Sequence, residues 1–158
     1  MVRSKAQYSM TFAFYYTVAI VVLSAALFAL QEFAPDLAAS PMFLGALMGG
    51  SIAVLVIPVA TVAKSFVTHE KRKTTFGEGW SLSIMFTIIA FVITIVFSVV
   101  ANIAIYGNAS GAADTNDLMA DPAGLAIFGG VVFVVILLLY RMFLWAAIKG
   151  EMKKIHLG

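Results

Sequence analysis

The chain has 158 residues, 62% of them hydrophobic and 11% charged, with a net charge of +2 and no cysteine. Soluble domains are ~45–50% apolar and ~25% charged, so a soluble domain this small could not cover such an apolar excess. These figures exclude a soluble enzyme, a nucleic-acid-binding domain and a disordered chain, and they leave no disulfide, thiol nucleophile or Cys-based metal site.

A transmembrane helix needs ~20 mainly apolar residues to cross a ~30 Å hydrocarbon core. The first such segment runs from about Met10 to Leu30 and carries no charge. Arg3 and Lys5 form a basic leader before it. The apolar run exceeds the ~7–15 residues of a cleaved signal, so this helix is expected to stay in the mature protein. Thr17, Ser24 and Gln31 recur every seven residues along it as a sparse polar stripe.

The second segment, about Met42–Ala63, is also uncharged. Gly45 and Gly49 stand at GxxxG spacing, which suits close backbone approach within the bundle or at a homodimer interface. Pro58 lacks a backbone donor and crowds the carbonyl of Val54, so a kink is expected there. The helix should continue past Ala63 toward Lys73. Thr75 and Glu78 then have the spacing of a capping box for the next helix. His69-Glu70 reads as a solvated pair, because no second histidine follows at zinc-protease spacing.

The third segment runs from about Trp80 to Tyr106. Ser83, Thr87, Thr94, Ser98 and Asn102 follow spacings of 4, 7, 4 and 4. At ~100° per residue they share one stripe, which turns the helix toward the bundle. The stripe can line a narrow aqueous path, form interhelical hydrogen bonds, or satisfy its own helix backbone.

The fourth segment, about Ala123–Ile148, holds the one charge inside a span, Arg141. Arg141 precedes Lys149 by eight residues, or ~12 Å at 1.5 Å rise, which places it in the inner third of the membrane. It reads as a bundle clamp or lipid anchor with Glu78 as expected partner, or alternatively as a substrate contact. Gly130 shares its face and suggests contact with another helix there.

The charges sort by side. All ten basic residues lie before the first span, between the second and third, or at and after the end of the fourth. The opposite loops carry only Glu32, Asp36, Asp114, Asp117 and Asp121. Basic short loops stay cytoplasmic, so both termini are expected inside. Tyr8, Trp80 and Trp145 are expected as anchors at that boundary and Tyr106 at the outer one. The three outer aspartates read as a solvated acidic loop.

The run Ala63-Lys64-Ser65-Phe66-Val67, the turn Lys71-Arg72-Lys73-Thr74 and Glu78-Gly79-Trp80-Ser81-Leu82 resemble the central loop of a family of small four-helix bacterial inner-membrane proteins, a domain of unknown function. The resemblance implies a bacterial inner membrane as the compartment. It carries no catalytic residues to transfer.

The expectation is an all-α integral membrane four-helix bundle, one membrane domain over 1–158, spans about 10–30, 42–63, 80–106 and 123–148. No span holds Asp, Glu or His, so membrane carboxylate relays, haem ligation, catalysis and cofactors are not expected. The function expected is a non-catalytic accessory or interaction protein of the inner membrane. Its partners would be the lipid bilayer and a second copy or another membrane protein, with no nucleic acid. The alternative is a small transporter or channel subunit using the stripe of the third span and Arg141. Arg141, Glu78, Ser98, Asn102, Gly45 and Gly49 are the candidate packing or functional residues.

Overall fold

The structure, a computed structural model, describes residues 4–34, 36, 40–106 and 122–157. The acidic loop with Asp114, Asp117 and Asp121 lies outside the described residues, as do the side chains of Gln31, Asn102, Tyr106 and His156. Among the described residues the fold has four helices: α1 (Lys5–Phe33), α2 (Pro41–Glu70), α3 (Phe76–Tyr106) and α4 (Pro122–Leu157). Each is long and apolar enough to cross a membrane. The chain is an all-α, multi-pass membrane four-helix bundle.

Local signals set the helix ends. Ser4 caps α1 by accepting from the Gln7 N–H, while Gln7 Oε1 accepts from the Ser4 N–H. Ser40 accepts from the Phe43 N–H at the start of α2. Pro41 follows it at the first helical position, where a missing N–H costs nothing. The helix runs on through Pro58 to Glu70, and Lys71 stops it in the left-handed region at φ 50°. The Lys71 N–H still reaches the Val67 carbonyl at 2.9 Å. The helix continues past Ala63 as expected but ends at Glu70, short of Lys73, and Lys71–Thr75 make the turn into α3.

Among the described residues, α1 packs on α2 and α3, and α4 packs on the same two helices. Although only a tight turn joins α2 to α3, they face each other across a diagonal. Contacts set the directions. Tyr8 of α1 reaches Glu70 at the end of α2, so that pair is antiparallel. Lys5 meets Ser81 and Tyr16 meets Thr94, so α1 and α3 are parallel.

The core sits at one end of the bundle, beside Lys5, Lys73 and Lys149, which we call the basic end. Every helix supplies residues four apart, the spacing that stacks side chains on one helix face. These are Tyr8, Phe12 and Tyr16 on α1; Pro58, Val62 and Phe66 on α2; Leu82, Phe86 and Ala90 on α3; Tyr140, Leu144 and Ile148 on α4. Phe12 stacks on Phe86 at 4.3 Å between ring centres and meets Tyr140 edge-on at 5.4 Å. Beyond Tyr16 on α1, beyond Ala90 on α3 and before Tyr140 on α4, no described hydrophobic residue is buried. At the far end Val96, Val99, Ile103 and Phe128 are about half exposed or more, as lipid-facing residues can be without cost.

Candidate functional site

Two regions hold the groups that could act. The first is the hydroxyl stripe of α3 with the cavities beside it. Ser83 and Thr87 are fully buried. Ser83 Oγ donates to the Gly79 carbonyl and Thr87 Oγ1 to the Ser83 carbonyl, each at 2.8 Å. Both satisfy the backbone of their own helix. Thr94 makes the interhelical link, with its hydroxyl 3.1 Å from Tyr16 OH. Ser98 lies in the exposed far half of α3. The four described residues of the stripe thus divide into a closed part, Ser83 and Thr87, and an open part, Thr94 and Ser98.

Above the Phe12–Phe86 stack lie two cavities. One, of about 280 Å³, is lined by Tyr16, Ala90, Phe91, Thr94, Ile136 and Tyr140 among others. The other, of about 320 Å³, includes Ser24, Ser51, Thr94 and Phe97 around Tyr16. Tyr16 and Thr94 line both. Among the described residues the polar side chains of these walls are hydroxyls, with no carboxylate or imidazole, so the cavities suit an apolar or weakly polar occupant.

The second region is a polar layer at the basic end. Thr75 and Glu78 form the expected capping box. The Thr75 N–H donates to Glu78 Oε2 at 2.8 Å, and the Glu78 N–H donates to Thr75 Oγ1 at 3.3 Å. Arg72 donates to both oxygens of Glu78, Nη1 to Oε2 and Nη2 to Oε1, each at 2.8 Å. Its Nη2 also lies 2.6 Å from Glu70, whose side chain is only 6% exposed. Tyr8 OH donates to the same Glu70 at 3.4 Å. Arg72 packs over the Phe66 ring as well. The carboxylates, chiefly Glu78 through its hydrogen bonds, push Arg72 further toward its charged form.

These contacts correct several expectations. Arg141 does not pair with Glu78, which Arg72 has taken. Its guanidinium lies against Gly79 and over the adjacent Phe76 and Trp80 rings, 5.8 and 5.9 Å from their centres. A Cβ at Gly79 would come within 2.7 Å of Arg141 Nη1, so the glycine makes room for the arginine. That Nη1 is buried and has no hydrogen-bond partner. Glu70 is not solvated: it closes α2 as a buried, paired carboxylate. His69 is exposed, and its Nδ1 lies 2.7 Å from the Ser65 carbonyl. Tyr8 is 2% exposed and belongs to the core, because Phe66 and Glu70 draw it inward from the headgroup level. Trp145 is 55% exposed, as an anchor would be.

Gly45 and Gly49 do not bring helices together within the bundle, since the space where a side chain would project is open at both. The close approach falls one residue later. A Cβ at Gly50 would meet Leu23 of α1 at 2.8 Å. At Gly130 likewise no described atom lies within 4 Å of where a Cβ would project. Among the described residues no three His, Asp or Glu side chains gather as metal donors.

Sequence reasoning missed Glu70 and the aromatic layer of Phe12, Phe86 and Tyr140. The layer had a signal in the fourfold spacing of large residues on three helices. Glu70 had none, since its burial depends on Tyr8 of α1 and on the turn that folds Arg72 back onto it. Comparison with family models, with curated proteins and with solved structures gives no match for the chain.

Proposed function

We propose that the protein is a non-catalytic accessory or interaction protein of a bacterial inner membrane, with both termini in the cytoplasm. The confinement of all ten basic residues to one side supports that orientation. The observation that carries the accessory reading is the closed basic half. Phe12, Phe86 and Tyr140 fill the bundle axis there, and Ser83 and Thr87 turn their hydroxyls onto their own helix. A transporter or channel needs polar groups along its whole path, and this stripe offers them only in the outer half. The carboxylates of the polar layer are occupied in caps and ion pairs, which leaves no poised acid and base.

The outer half carries the interaction surface in this reading. It presents Gly45, Gly49 and a broad apolar face without burying them. A flux assay tests the proposal. Liposomes containing the purified protein should leak ions and small polar solutes no faster than empty ones. Robust flux that is lost in Ser98→Ala or Asn102→Ala would overturn it in favour of a transporter.

A further inference from the structure

The basic end is not uniformly basic, because its carboxylates are already spent. Glu70 and Glu78 both hold Arg72, and Glu151 holds Lys154 at 2.6 Å. Among the described residues Lys73, Lys149 and Lys153 make no ion pair. These three lysines come from the α2–α3 turn and the last turns of α4, yet they line one cleft. Its two adjoining cavities, of about 300 and 320 Å³, share Lys73 and Lys149. Thr74 adds a hydroxyl, and Trp145 and Ile148 add an apolar wall. Lys149 Nζ also sits 4.9 Å from the centre of the Trp145 ring, which fixes it at the mouth of the cleft.

Below the cleft the apolar wall continues. Trp145, Met142, Leu138, Val135, Val131 and Phe128 are spaced by three or four residues, so they form one stripe down α4. Each is at least 50% exposed. At 1.5 Å per residue the part from Trp145 to Val135 runs ~15 Å along the helix, the depth of one leaflet and so the reach of a phospholipid acyl chain, and the stripe continues past it to Phe128. Three uncompensated ammonium groups thus stand at the head of a lipid-facing apolar track.

We propose that this cleft is a site for one anionic phospholipid, with its phosphate among Lys73, Lys149 and Lys153 and an acyl chain along the Trp145–Val135 part of the α4 stripe. Ammonium groups at the headgroup level attract anionic lipid, and three around one cleft select a single headgroup rather than a diffuse layer. Trp145 suits the boundary between headgroup and chain. The proposal needs only that the bundle spans a membrane, so it stands apart from the accessory role.

Native mass spectrometry of the full-length protein tests it, with phosphatidylglycerol, phosphatidylcholine and inorganic phosphate as probes. One phosphatidylglycerol should be retained per chain, in preference to phosphatidylcholine. Each of Lys73→Gln, Lys149→Gln and Lys153→Gln should weaken retention about fivefold. Lys64→Gln and Lys71→Gln remove the same charge elsewhere on the basic end and should leave it unchanged. All five lysines are exposed, so the thermal transition should not move. Equal loss in both sets would overturn the site in favour of diffuse surface charge. Displacement by inorganic phosphate at matching concentration would make it a free-anion site. Disulfide dimers formed through Met142→Cys within the bilayer would give the stripe to a second copy and overturn the lipid.

Discussion

The two halves of the bundle are built from the same kinds of residue and solve different problems. The basic half packs Tyr8, Phe12, Phe66, Phe86, Tyr140 and Leu144 into a closed core. The far half has equally apolar helices, yet Val96, Val99, Ile103 and Phe128 face outward. Hydrophobicity cannot account for the difference, because lipid solvates both sets well. What differs is shape and polarity. The basic half places large rings four residues apart and anchors them with Arg72, Glu70 and Glu78. The far half also carries rings, Phe97 and Phe128 among them, but its described rings join no shared buried layer.

The largest expected effect comes from removing a ring of the closed layer. Phe86→Ala should destabilise the bundle by on the order of 2–3 kcal/mol, somewhat below the soluble-core range because lipid also solvates phenylalanine. Val99→Ala in the far half should change stability by less than ~0.5 kcal/mol. Thermal unfolding in one detergent compares the two directly, and similar losses would erase the distinction between the halves.

Next comes the ion-pair layer. Glu70→Gln keeps the size but removes a charge that Arg72 and Tyr8 both contact. A loss of about 1–2 kcal/mol is expected, less than for a fully buried pair, since Arg72 stays 44% exposed. Chemical unfolding of the purified variant reads it. A neutral result would mean that the layer fixes the turn without stabilising the core. A smaller effect than either belongs to the helix start within the basic half: Thr75→Ala should cost ~1 kcal/mol through the lost cap. Hydrogen exchange should show it as faster exchange at the first amides of α3, with the rest of the helix unchanged.

The fold was legible because length and hydropathy decide a membrane span almost alone. The capping box of Thr75 and Glu78 was legible too, since it depends on residues three apart. Arg141 shows where that reach ends. Its nearest carboxylate by position along the membrane was Glu78, but Arg72 lies six residues from Glu78 in the chain and reaches it first. Arg141 is left to Gly79 and two rings. Similarly, Gly45 and Gly49 matched a packing motif, while helix rotation gave the contact to Gly50. Spacing defines a face of a helix. The partner of that face depends on rotation and on which helices lie diagonal, and neither is local.

The central claim is that the basic half is closed to water although its stripe is polar. Cysteine accessibility tests it most directly, because the chain has no cysteine of its own. Ser83→Cys and Thr87→Cys change little in size, and each can be challenged with a charged, membrane-impermeant thiol reagent from either side. The account predicts no labelling at either position from either side, while Ser4→Cys at the exposed helix start labels readily. Labelling of Thr87→Cys under the same conditions would place water in the basic half and contradict the account.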